Sequence, residues 1–191
     1  MTARDALIFS TIDLLRRHGV AGTGIAAITD HSHVSRRSIY NTFPDGKTEL
    51  VREATQVAGM FIGHQIDKAL DKPTPQESLA EFVAQWKEVV AGGDFSAGCP
   101  IAAAGLARSS EPDIADAAGE AFTRWQTAIA DSLRRHGIPG PTAMQLSNTV
   151  LAAVEGAVLM AVAQRSLTPL DDVRSQVEIL IDHHLARATH Q

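Results

Sequence analysis

Thr23-Gly24-Ile25-Ala26-Ala27-Ile28-Thr29-Asp30-His31-Ser32-His33-Val34-Ser35-Arg36-Arg37-Ser38-Ile39-Tyr40-Asn41-Thr42-Phe43 reads as two short helices joined by a tight turn. Ile25 and Ile28 lie three apart and share a face of the first helix, while Ile39 and Phe43 lie four apart on the second. With Val34 between them, these positions can close a small core. Ser35 is a good N-cap for the second helix, which leaves Arg36, Arg37, Ser38, Tyr40, Asn41 and Thr42 on or beside its outward surface. A helix armed in this way suits a DNA groove. Its guanidinium groups match the paired acceptors of a guanine edge, and Ser38 can reach either a base or a phosphate.

The residues on either side strengthen that reading. Thr23, Ile28, Val34-Ser35, Ile39-Tyr40, Phe43-Pro44 and Lys47 to Leu50, preceded by Leu14-Leu15-Arg16-Arg17-His18-Gly19, resemble the DNA-binding domain of the tetracycline-repressor (TetR) family of transcriptional regulators. The likeness covers roughly the first quarter of the chain, in order and in spacing. It departs in the turn, where the family usually has Gly, often Ala-Gly, and this chain has Ser32-His33. Histidine enters the left-handed backbone region at some cost, so a strained or differently wound turn is expected there. The resemblance places Thr23, Tyr40, Asn41 and Thr42 at positions that usually bond the DNA backbone and set register. A second likeness rests on Phe43-Pro44-Asp45-Gly46-Lys47-Thr48-Glu49-Leu50, Gly98-Cys99-Pro100-Ile101 and Glu155-Gly156-Ala157. These stretches are similar to the LmrA/YxaF branch, whose members repress genes for drug efflux or detoxifying enzymes.

Charge is distributed to match. The formal net charge is -5, yet residues 1–52 hold seven Lys/Arg against five Asp/Glu, so all of the negative excess lies further along the chain. Contact with nucleic acid is therefore expected at the N-terminal end, resting on a few placed residues and on dimerisation rather than on a broad basic field. The single cysteine, Cys99, excludes an intramolecular disulfide and suits a reducing compartment. The N-terminus lacks a signal-peptide pattern, and the apolar run Thr149 to Ala163 is interrupted by Glu155 and too short to span a bilayer. A cytoplasmic protein with no membrane partner is expected.

In chain order, Ala6, Leu7, Ile8, Phe9, Ile12 and Leu14 give helix one an apolar stripe, and Gly19 ends it. Asp45 is placed to cap a long fourth helix reaching about Leu70. Lys47, in the first turn of that helix, stands where the backbone dipole disfavours a cation, so a DNA phosphate is its expected partner. Helix five runs from about Gln76 to Ala91, stopped by Gly92-Gly93; helix six follows Cys99-Pro100; helix seven runs from Glu111-Pro112 to His136-Gly137. Pro139-Gly140-Pro141 reads as a loop. Helix eight, about Thr142 to Ser166, is apolar on nearly every side, so both its faces should be buried, and helix nine carries Leu170, Val173, Val177, Leu180, Ile181 and Leu185 in one stripe. The surplus of apolar surface on these last two helices points to a homodimer, and the resemblance implies their pairing in a four-helix bundle.

The expectation is thus an all-α chain of about nine helices: a helix-turn-helix domain over residues 1–47, then a ligand-binding and dimerisation domain over 48–191. Met60, Phe61, His64, Phe82, Trp86, Cys99, Phe122, Trp125 and Asn148 are candidates to surround a small-molecule effector, although core packing explains such residues equally well. Glu155 reads as a partner for a cationic ligand, for an arginine or for the dimer seam. Cys99 before Pro100 stands where a helix N-terminus can lower a thiol's pKa. The eight histidines show no metal-ligand spacing, and no catalytic triad order, Walker loop or dinucleotide fingerprint occurs, so neither cofactor nor enzymatic activity is expected. A repressor released from a palindromic DNA operator by a small hydrophobic ligand fits this pattern. Its rivals are a ligand-independent DNA-binding protein and an all-α enzyme.

Overall fold

Thr2 opens the first helix with a reciprocal cap: its hydroxyl accepts the Asp5 N–H at 3.1 Å, and the Asp5 carboxylate accepts the Thr2 N–H at 2.9 Å. The computed structural model describes residues 2–188, and those residues form helices without a strand. In chain order they are α1 (Ala3–Gly22), α2 (Ile25–Ser32), α3 (Arg36–Thr42), α4 (Lys47–Leu70), α5 (Pro75–Gly92), α6 (Pro100–Gly105), α7 (Pro112–Arg135), α8 (Gly140–Gln164) and α9 (Thr168–Ala188). Two compact units result: Met1–Phe61 with Gly98–Phe122, and Ile62–Ala97 with Thr123–Gln191. Helices α4 and α7 each give one part of their length to each unit.

In the first unit α1, α2 and α3 pack on one another and α6 packs on α1. Leu7, Ile28, Ile39, Phe43 and Leu50 are fully buried in one cluster, with Ile25 and Val34 half-buried at its edge. The expected stripe of α1 holds for Leu7, Ile8 and Leu14, but Phe9 faces solvent at 59 % exposure. Phe9 follows Leu7 and Ile8 directly, and a helix cannot turn three consecutive side chains to one side. Gly19 breaks α1 with φ 65° and ψ -177°, a conformation open to glycine, and a last turn continues to Gly22.

Segment 98–111 is stitched into the same unit. The Gly98 N–H donates to the Arg16 carbonyl at 3.0 Å, and Arg16 Nε donates back to the Gly98 carbonyl at 3.2 Å. Burial draws the Arg16 guanidinium below its ordinary pKa. At the start of α4, the Thr48 hydroxyl donates to the Glu111 carboxylate at 3.1 Å.

In the second unit α8 packs on α9, and α5 packs on both. Thr74 caps α5 by accepting the Glu77 N–H, and Pro75 takes the first helical position, where its missing N–H is harmless. The same tolerance lets α8 begin at Gly140-Pro141, inside the segment expected to be a loop. The expected burial of both faces of α8 holds for one: Leu146, Val150, Val154 and Ala161 are buried, whereas Leu159 and Met160 are 71 % and 49 % exposed. Within one chain α5 and α9 cover a single side. Although α8 is long and apolar enough to cross a membrane by length and composition, its buried side is part of this helical core.

Phe43→Ala should lower unfolding free energy by about 3–5 kcal/mol, the usual range for emptying a fully buried aromatic site, measured by urea denaturation followed by circular dichroism.

Candidate nucleic-acid interface

Helix α3 has seven residues and so needs its ends fixed by something other than its own ladder. Ser35 does this at the N-terminus: its Oγ accepts the Ser38 N–H at 3.2 Å and lies 2.9 Å from the Ser38 hydroxyl. At the other end the Thr42 hydroxyl donates to the Ser38 carbonyl at 2.8 Å. The inner side is Ile39 and Phe43, both without exposed surface. Arg36, Arg37, Tyr40 and Asn41 are turned to solvent, and among the described residues none of their polar ends hydrogen-bonds to the rest of the chain. The Arg36 guanidinium lies 6.0 Å over the Tyr40 ring.

The turn before α3 resolves the question raised by Ser32-His33. His33 itself takes the left-handed position, φ 56° and ψ 21°, as the C-cap of α2, and the Ser32 hydroxyl accepts the Val34 N–H at 3.2 Å. The turn after α3 is closed by the Gly46 N–H donating to the Phe43 carbonyl at 2.9 Å. Gly46 has φ 73°, and a Cβ there would stand 3.1 Å from the Tyr40 ring, so this glycine both makes the turn and seats the tyrosine. Asp45 was expected to open α4; its own N–H is instead taken by the Glu49 carboxylate at 2.9 Å.

Four other sequence candidates have internal partners. Thr23 is fully buried, and its hydroxyl donates to the Gly19 carbonyl at 2.7 Å, bracing the break in α1. Ser35 and Ser38 share the cap. Lys47 Nζ donates to the Val20 carbonyl at 3.1 Å, the same oxygen that accepts the Thr23 N–H. That oxygen is an acceptor left over at a helix end, and an ammonium has donors to spare after meeting it.

Asp13 pairs within α1 with Arg17 at 2.9 Å and ties α1 to α2 through His31 at 3.3 Å. Burial pushes its carboxyl up, but the Arg17 hydrogen bond and the charges of Arg17, His31 and Arg16 outweigh that and hold it below 3.8.

The nine effector candidates are divided between the two units, with Met60, Phe61, Cys99 and Phe122 in the first and the others in the second. Met60 and Phe61 are 61 % and 64 % exposed, and His64 and Asn148 are also exposed. Phe122 is half-buried. Trp86 and Trp125 are buried, with Gly63 leaving room for the Trp125 indole nitrogen. Cys99 is buried, and its Sγ accepts the Ala102 N–H at 3.5 Å as the cap of α6. Only Phe82 borders the cavity of about 40 Å³ in the second unit. Sequence reasoning passed over Ser132 in its wall, although that serine falls on the apolar stripe of α7 set by Trp125, Ile129 and Leu133. It also passed over the Arg16–Gly98 pair, for which 82 intervening positions leave no local signal. Among the described residues no group of three or more His, Cys, Asp or Glu side chains is arranged to hold a metal ion.

His33→Gly should be neutral or raise stability by up to about 1 kcal/mol, while the β-branched His33→Val should lower it by more than about 1 kcal/mol, compared by urea melts. Because the Asp13 pKa is depressed on folding, its contribution is complete above about pH 4 and lost as pH falls through the depressed value; an acid titration of wild type against Asp13→Asn should show a shallower loss in the variant.

Residues 7–54 match the profile of bacterial regulatory proteins of the tetR family, and residues 75–176 match that of the transcriptional regulator LmrA/YxaF-like C-terminal domain. An HTH-type transcriptional regulator of Mycobacterium tuberculosis is 33 % identical over 184 residues, covering 93 % of each chain. The HTH-type transcriptional regulator LmrA of Bacillus subtilis is 27 % identical, covering 94 % of this chain and 96 % of that one. The regulatory protein TetR from Rhodobacter sphaeroides shares the fold, with a TM-score of 0.83 at 22 % identity over 92 % of this chain and 96 % of its own.

Proposed function

Since this chain belongs to the TetR family of DNA-binding transcriptional regulators, in its LmrA/YxaF-like branch, we propose that it is a repressor that leaves a palindromic operator when a small hydrophobic ligand binds. The carrying observation is the outward face of α3, where Arg36, Arg37, Tyr40 and Asn41 are exposed and unspent on internal hydrogen bonds. In this reading Arg36 and Arg37 meet guanine edges. Tyr40, Asn41, Thr42, Ser38 and the spare donors of Lys47 meet phosphates. Thr23 and Ser35 act by fixing the backbone that presents them. Residues 1–47 serve as the DNA-reading part and 48–191 as the ligand-binding and dimerising part, in the cytoplasm and without a cofactor.

The partner is a second copy of the chain. Leu159 and Met160 of α8 and Ile179 of α9 are exposed apolar side chains, and Ala152, Gly156 and Ala163 are small residues at helical spacing on α8. Such a surface permits close approach of two helices and suits a twofold bundle. Two copies present two α3 helices to half-sites about one DNA turn apart. Effector release is assigned to α4, which starts at Lys47 and whose last turn borders the cavity. An effector that binds better to the chain with α4 displaced supplies a coupling of about 1–3 kcal/mol.

Selection from a random duplex pool, followed by gel-shift assays, tests this reading. Arg37→Ala should weaken binding to the selected site by about 1–3 kcal/mol, roughly 5- to 150-fold, with folding unchanged. Failure to enrich any sequence over competitor, or an unaltered affinity in the variant, is the contrary result.

A further inference from the structure

Arg4 stands in the first turn of α1, beside the Thr2–Asp5 cap, where the backbone dipole disfavours a cation. Two partners within its own unit hold it there. Its guanidinium meets the Glu53 carboxylate of α4 as a paired fork, Nη2 donating to Oε2 at 2.6 Å and Nη1 lying 2.5 Å from Oε1. The same group lies 5.4 Å over the Phe43 ring. Phe43 is the C-cap of α3, and its carbonyl accepts the Gly46 N–H that closes the turn into α4. Leu7, one turn after Arg4, and Leu50, one turn before Glu53, are fully buried in the cluster that also holds Phe43. One planar cation thus joins the start of α1, the end of α3 and the second turn of α4. An exposed ion pair is ordinarily worth little. Here Glu53 is only 22 % exposed, and both the edge and the face of the guanidinium are engaged, which a lysine ammonium cannot reproduce.

Resting on the reading that α3 meets the duplex, we propose that Arg4 is a positioning residue for DNA recognition: paired with Glu53 and laid on Phe43, it sets the angle at which α3 is presented. Its charge is spent inside the protein rather than on a phosphate. Loss of the fork leaves the head folded, because the apolar cluster closes it. The end of α3 is then free to shift, and bidentate contacts to base edges depend on geometry. Binding to random duplex is an electrostatic sum and is less exacting.

Gel-shift titrations of the full-length protein over a range of salt, on the selected site and on random duplex, test the assignment with Arg4→Gln, Glu53→Gln and the double variant. Each single change should weaken binding to the selected site by at least about threefold, and the double by no more than either, since one interaction is lost. Selected-site binding should fall more than random-duplex binding, and the salt dependence should keep its slope. The sign for Glu53→Gln is decisive: removing a negative charge from the DNA-reading unit favours binding on charge alone, so unchanged or tighter binding overturns the proposal. So does a slope lowered by about 0.9 in Arg4→Gln, the mark of a lost phosphate contact. Losses that add in the double variant, or that match a loss of folded protein in thermal melts, overturn it as well. If Arg4→Gln does not fold, Glu53→Gln decides alone. Arg37→Ala in the same assay separates this proposal from the broader reading: weakened binding there with Arg4 and Glu53 indifferent removes the positioning role alone, whereas indifference of Arg37→Ala removes both.

Discussion

Burial of Ile39 and Phe43 against Leu7, Ile28 and Leu50 keeps α3 a helix. Seven residues cannot sustain a helix in water, because nucleation is unfavourable and too few hydrogen bonds follow to offset it. The apolar side of α3 is therefore wholly committed to the core, and its polar side is left over by geometry rather than by any property of its own. Ser35 at the front and the Phe43–Gly46 turn behind fix where that side points. The exposed polar side chains of α3 are thus carried on an element whose position is set by its buried neighbours and by the turns at its ends.

The same dependence explains why several polar residues of the head face inward. A tightly wound turn leaves backbone carbonyls without partners, and each must be met. Thr23 meets Gly19, Lys47 meets Val20, and Thr42 meets Ser38. His33 accepts an unfavourable backbone conformation because α2 and α3 have to change direction within three residues. Segment 98–111 is bound in as firmly through Arg16 and Glu111, so the unit that holds the head contains more than the N-terminal residues.

In the second unit the helices solve a different problem. Each of α5, α8 and α9 carries more apolar surface than one neighbour can cover, and packing three together leaves both a remainder outside and a small void within. The remainder lies on α8 and α9 at Leu159, Met160 and Ile179. The void is walled by aliphatic side chains with Phe82, Ser78 and Ser132 among them. Neither feature follows from any single helix, since both are residues of an imperfect fit.

The sequence by itself determined that the chain is all helix, where most helices begin and end, and which residues of α3 face outward. These are local matters, settled by apolar period, capping side chains and the placement of Gly and Pro. It misjudged the segment at Pro139-Gly140-Pro141, because proline inside a first helical turn looks the same in sequence as proline in a loop. Only the tertiary structure decided which polar groups were already occupied, as with Thr23 and Lys47, and which large side chains met a cavity. Met60, Phe61, Phe82 and Trp86 are alike in composition, yet two are exposed, one is packed away and one borders the void. That distinction depends on contacts between residues far apart in the chain, and periodicity along one helix carries no information about what stands opposite it.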